Sequence, residues 1–344
     1  MSFRHAFAGL AAFILASGGS IAGTTAEPVR VSYQPLYWAL PFYIASELGY
    51  WKEVGIEPEF SVFPAGPQQI AGMESWDLGG PGGPPAVLGG ARLGLLPIAF
   101  GPAESAVTAT VARAADADAI LKDPSSLKGK QLLVTTNSTG EFSALACLKK
   151  FGLTRDDVQI VNLAPQQLIS AYSNGNGTLA ASWAPFIYVL QDKAGAKEIC
   201  NGQAANAFVT SSFVVAPEFA KARPDTVAKA LAVYLRAVAW QKKNRAGTLA
   251  YLKKFNEKNG VSLSEHFLEI DHDRRKTFTL AEELKIFDRS ADPATVDKWN
   301  DDLAAYLVST GTLKAVPEAR TYLDDSFLKM IDKDPKLRAF ANGE

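Results

Sequence analysis

The chain has 344 residues, 47% of them hydrophobic and 21% charged, with 35 basic side chains against 36 acidic ones. That length provides for about two folded units with their own cores, and the apolar fraction excludes a disordered chain. A net charge of -1 gives no field that attracts a polyanion, and three histidines (His5, His266, His272) with two cysteines (Cys147, Cys200) cannot build a clustered metal site, so nucleic acid, metal and cofactor are not expected.

At the N-terminus Arg4 and His5 precede an apolar run over residues 6–16, followed by small residues ending at Ala22 or Ala26. That order is the pattern of a secretory signal peptide, and the run is too short to span a bilayer. A leader over residues 1–26 and an exported protein are therefore expected. No cysteine lies at the cleavage region, so a lipid-anchored start is not indicated. In an oxidising compartment Cys147 and Cys200 fit either a disulfide or two buried thiols that pack as small hydrophobes.

From Val29 onward, short β-rich runs alternate with helical ones: strands over 29–33 and 58–63, helices over 42–54 and 67–76. After Leu127 the alternation restarts, with strands over 131–135, 158–163 and 179–183 and helices over 139–151 and 165–173. Strands alternating with helices predict βαβ units, a mostly parallel sheet and an α/β fold in two lobes. The turn Phe63-Pro64-Ala65-Gly66-Pro67-Gln68-Gln69 is echoed by Asn162-Leu163-Ala164-Pro165-Gln166-Gln167, which fits either related lobes or chance. The last third reads as helical. Val227, Leu231, Tyr234 and Val238 recur at helical spacing, and Asp292-Pro293 opens an amphipathic run through Val296, Trp299, Leu303 and Leu307.

No G-x-S-x-G elbow, P-loop lysine or H-E-x-x-H occurs, and no G-x-G-x-x-G follows the first strand, so no catalytic residue is assigned. What remains is a set of strand-to-helix loops over 33–41, 78–85, 135–142 and 181–186. In open α/β sheets ligands bind beyond the carboxyl ends of the strands, and two lobes can turn these edges to one cleft. Thr135-Thr136-Asn137-Ser138-Thr139-Gly140 enters a helix, and its free amides and hydroxyls fit either an anion site or an N-cap with no ligand.

Tyr33-Gln34, Phe63-Pro64-Ala65-Gly66-Pro67-Gln68, Asp77-Leu78-Gly79 followed by Gly82 and Pro85, Asn137-Ser138-Thr139 before a helix ending Phe151-Gly152-Leu153, and Trp183-Ala184-Pro185 occur in the order found in a known family. The chain resembles the periplasmic substrate-binding proteins of nitrate, sulfonate and taurine ABC importers, most nearly the aliphatic-sulfonate members, from about Val29 to Ala216.

The resemblance implies a type II periplasmic binding protein fold: two Rossmann-like lobes joined by a two-strand hinge, with the helical C-terminal part packed on lobe 1. The expected boundaries are 27–112 with 215–344 for the first lobe and 113–214 for the second. It further implies a monomeric protein that captures a small organic anion by hinge closure and delivers it to a membrane permease. Carried onto this chain, Gln34, Tyr37 and Trp38 line one wall and Gly82 and Gly83 another. Asn137, Ser138 and Thr139 hold the anion, Trp183 packs on its carbon skeleton, and Ser211 and Ser212 lie where the second crossover passes.

Taurine binders of this type carry an acid inside the tryptophan-proline motif, and sulfonate binders often carry one in the glycine-rich loop. Here those positions are Ala184 and Gly83, so an amine-free sulfonate is expected first and an aromatic carboxylate second. Nitrate, a pyrimidine or a sensor role stand as alternatives on the same scaffold, and an exported α/β enzyme is third. The pyrimidine-synthesising relatives need a Cys-rich motif and an active-site His, which this chain lacks.

Overall fold

The structure is a computed structural model that describes residues 26–290 and 294–344. The expected leader lies outside them, Ala26 aside, as does the Asp292-Pro293 helix start. Among the described residues ten strands form two five-stranded sheets.

The first sheet has the order β2-β1-β3-β10-β4. Its strands are β1 (Glu27–Tyr33), β2 (Ile56–Val62), β3 (Leu78–Gly79), β4 (Leu96–Ala103) and the late β10 (Thr210–Val215). Helices α1 (Leu40–Glu47) and α2 (Tyr50–Glu53) connect β1 to β2, α3 (Gly66–Ala71) precedes β3, and α4 (Gly83–Leu93) precedes β4. The single helix expected over 42–54 is broken because Gly49 takes a left-handed φ of 78°, a conformation that glycine adopts at little cost.

The second sheet has the order β7-β6-β8-β5-β9. It comprises β5 (Thr108–Arg113), β6 (Gln131–Val134), β7 (Gln159–Asn162), β8 (Leu179–Trp183) and β9 (Ala196–Asn201), connected in turn by α5 (Ala114–Lys122), α6 (Thr139–Lys150), α7 (Pro165–Ser173) and α8 (Phe186–Lys193). Leu132 and Val134 of β6 face one buried cluster and Leu133 the other, the alternation of a strand covered by helices on both sides.

The two sheets are topological copies. In each, three parallel strands are followed by one antiparallel strand, β10 in the first and β5 in the second. In both cases that strand is the one arriving from the other lobe. The echoed turns 63–69 and 162–167 lead from β2 into α3 and from β7 into α7, equivalent places in the two copies. The crossings fall between β4 and β5 and between β9 and β10. The expected boundaries at 112 and 214 therefore need correction: β5 pairs with β8 and β9 in the second sheet, and β10 with β3 and β4 in the first.

The remaining helices are α9 (Pro217–Ala222), α10 (Pro224–Lys243), α11 (Arg245–Lys258), α12 (Glu265–Asp273), α13 (Leu280–Ile286), α14 (Thr295–Ser309), α15 (Ser326–Lys333) and α16 (Pro335–Asn342). Most of them join the first lobe's core, where α10 places Tyr234 flat against Trp38, centroids 5.7 Å apart, with Phe42 and Phe213 edge-on. The helix α12 reaches across to the second lobe, stacking Phe267 on Tyr188 at 5.2 Å and pairing the adjacent Arg274 with Glu198 at 3.4 Å. No described helix is long and apolar enough to cross a membrane.

Candidate functional site: an interlobe cleft

The parallel strands of both sheets point their carboxyl ends at one cleft. Gln34 follows β1, Gly82 and Pro85 follow β3, Ser138 and Thr139 follow β6, and Trp183 ends β8. Ser211 of β10 and Glu104, on the crossing from β4 to β5, complete the wall with Leu36 and Gly66. The cavity volume is about 10 Å³, the room of roughly one water molecule. The lobes are thus closed on each other, with no room for an organic molecule between them in this structure.

Two loops meet here at close range. A side chain at Gly82 would strike the Thr139 methyl at 2.7 Å, so glycine is what lets the start of α4 approach the start of α6. Both helix N-termini direct positive dipole ends toward the cleft. At α4, Pro84 and Pro85 occupy the first turn and have no N–H to offer. At α6 the Ser138 hydroxyl accepts from the Gly140 and Glu141 amides at 3.1 and 3.3 Å and donates to the Thr135 carbonyl at 2.6 Å. Ser138 is therefore fully engaged as the helix cap, and Thr139 carries the other hydroxyl that this turn brings to the cavity wall.

Around them the wall is buried and polar. Gln34 donates through Nε2 to Gln69 at 3.0 Å, and Gln69 in turn donates to Ser32 at 2.8 Å, which fixes the amide. Trp183 and Ser211 are nearly inaccessible, and the Trp183 Nε1 and Ser211 Oγ have no hydrogen-bond partner in the protein. A buried donor without a partner costs about 1–3 kcal/mol.

Several residues expected in the wall lie elsewhere. Trp38 is in the first lobe's core, so close to the backbone that a Cβ at Gly80 or Gly101 would fall 2.1 Å from its ring. Tyr37 turns toward α12, where its hydroxyl meets His272 Nδ1 at 2.7 Å. Gly83 abuts Leu303 of α14. Asn137 accepts from the Thr312 hydroxyl at 2.7 Å. Ser212 follows Ser211 on a strand, where successive side chains point to opposite faces.

The sequence reading missed Glu104. It is 3% exposed, lines the cleft, and accepts from Arg275 Nη1 at 2.9 Å. Arg275 also binds Asp271 through Nε at 3.0 Å and Nη2 at 2.9 Å, and packs on the Tyr37 ring at 4.9 Å. Burial pushes the Glu104 and Asp271 carboxyls above their ordinary range, with Arg275 pulling both back. Burial likewise lowers His272. A carboxyl group therefore does stand in the cleft wall, at a place other than Ala184 and Gly83.

A family model described as NMT1/THI5 like matches residues 39–246, which covers the strands of both lobes except β1 and all of these loops but the first. The chain belongs to the NMT1/THI5-like family. It is 27% identical over 309 residues to a candidate binding protein of Brucella abortus, covering 86% of this chain and 89% of that protein. It is 29% identical over 210 residues to a candidate aliphatic sulfonates-binding protein of Bacillus subtilis, 59% of this chain and 63% of that one. The alkanesulfonate-binding protein SsuA of Xanthomonas axonopodis pv. citri, solved bound to MOPS, superposes with a TM-score of 0.69 at 19% identity, over 86% of this chain and 98% of that one. The fold is that of the periplasmic binding proteins.

Proposed function

We propose that the protein is the extracytoplasmic solute-binding component of an ABC importer. It captures a small organic anion, an organosulfonate first, in the interlobe cleft and hands it to a membrane permease. The observation that carries this reading is the pair of unpartnered donors, Trp183 Nε1 and Ser211 Oγ, in a wall that also contains the start of α6. Donors buried without acceptors, in the wall of the same cavity as a helix end whose dipole favours negative charge, match a ligand that brings oxygens and charge. Export through the N-terminal leader and residence in the periplasm belong to the same reading, as does binding in place of catalysis. The named activities of the B. subtilis and Xanthomonas proteins support the choice of sulfonate.

A thermal-shift screen with organic sulfonates, aromatic carboxylates, nitrate and pyrimidines tests it, because a ligand bound only by the folded state raises its melting temperature by mass action. Sulfonates are expected to give the largest rise. Stabilisation by pyrimidines alone would transfer the reading to a different ligand class on the same scaffold.

A further inference from the structure

We propose that the cleft has a second pole: the Glu104 carboxylate receives a positively charged or N–H-bearing end of the ligand, opposite the end that meets the start of α6. This rests on the anion reading above and adds to it. Glu104, Asp271 and Arg275 have side chains 4%, 0% and 1% exposed. Two carboxylates thus share one nearly inaccessible guanidinium. With all three ionised the group carries an excess negative charge, which a proton relieves in the empty cleft and a cationic ligand end relieves in the filled one.

The neighbours do not supply the missing positive charge. Every nitrogen of Arg275 is already engaged: Nε and Nη2 with Asp271, Nη1 with Glu104, and Nη2 also with the Ala184 carbonyl at 3.5 Å. Arg274 is drawn off to Glu198 and Arg245 to Asp273. His272 sits against the Tyr37 hydroxyl. The next buried acid, Glu283, accepts from the Phe100 amide and adds no cation.

Arg275 and Asp271 lie behind Glu104, away from the cleft lining, so Glu104 is the member of the triad that faces the ligand. The Trp183 indole and the Ser211 hydroxyl, buried and unpartnered in the same wall, mark that space as one built for a ligand. An ammonium there completes the charge balance that Arg275 leaves half done. The proposal reverses the amine-free expectation drawn from Ala184 and Gly83: the acid comes from the crossing segment after β4 instead of from either of those loops.

Matched probes test this by calorimetry on the full protein: taurine against ethanesulfonate, and β-alanine against propionate. The amine-bearing member of whichever pair binds is expected to bind at least tenfold tighter, and Glu104→Gln is expected to abolish that preference, so that the two members of the pair bind the variant within about threefold of each other. Equal affinity within the pair in the wild-type protein overturns the proposal with no need of a variant. A preference for the amine that survives in folded Glu104→Gln also overturns it. Ethanesulfonate or propionate binding without an amine advantage leaves the anion reading standing and removes only the second pole, whereas binding of none of the four removes both.

Discussion

The Tyr306 hydroxyl, on α14 of the first lobe, donates to Glu141 Oε2 at the start of α6 in the second lobe, 2.6 Å away in a buried setting. Glu141 Oε2 also accepts from the Asn137 amide at 2.8 Å, and Asn137 takes the Thr312 hydroxyl from the first lobe. The turn that presents Thr139 to the cleft is thus clasped from outside by the opposite lobe. The interlobe clasp and the proposed anion site thus share the same six residues, 136–141.

Tyr306→Phe removes this clasp with little change of shape. A hydrogen bond to a charged acceptor contributes about 1.5–3 kcal/mol. Part of that is lost from the closed state alone, so ligand affinity is expected to fall roughly tenfold or more. Small-angle scattering of the unliganded variant should show a larger radius of gyration than wild type. An unchanged radius and affinity would mean that the clasp does not bias closure.

Cys147 of α6 and Cys200 of β9 form a disulfide with Cα atoms 5.9 Å apart, which resolves the two alternatives left by the sequence. It fastens the ligand-facing helix to the far edge of its own sheet. Replacing both cysteines by serine is expected to cost about 2–4 kcal/mol of unfolding free energy, measured by denaturant titration, and reduction of the wild-type protein should reproduce the loss. Equal stability with and without the bond contradicts this.

The raised carboxyls of Glu104 and Asp271 give a pH dependence of definite sign. Between the ordinary values of 4.5 and 3.8 and the raised folded values, the folded protein holds protons that the unfolded chain releases. Stability from these groups is therefore greatest at the acid end of that window and falls as pH rises through the folded pKa. Melting temperature measured from pH 7 downward should rise relative to that of Glu104→Gln, for which the dependence flattens. If the two curves stay parallel, Glu104 does not titrate in that range.

Most of the fold was legible in the sequence because the βαβ alternation is strong wherever a parallel strand precedes an amphipathic helix, as at 29–33 and 131–135. Of the strands it missed, β4 and β5 are consecutive with no helix between them, and β4 carries Pro97, Gly101 and Pro102, residues that read as a loop. Missing that pair also misplaced the lobe boundary and hid Glu104, which sits between the two strands. The loops with Gln34, Gly82, Thr139 and Trp183 were legible because each follows a strand end. Trp38 was misplaced for a different reason: an aromatic near a strand end looks the same in sequence whether it faces a cleft or, as here, fills the core between Gly80 and Gly101.

The roles of two adjacent hydroxyls test the central account most directly. Calorimetric titration with the sulfonate that stabilises the protein most is to be compared for wild type, Thr139→Val and Ser138→Ala. Thr139→Val is expected to weaken binding about tenfold to a hundredfold at unchanged melting temperature. Ser138→Ala, which removes the cap of α6, is expected to lower stability by about 1 kcal/mol and to affect affinity less. Wild-type affinity in Thr139→Val, or binding that responds to neither substitution, would place the anion outside this cleft wall and contradict the account.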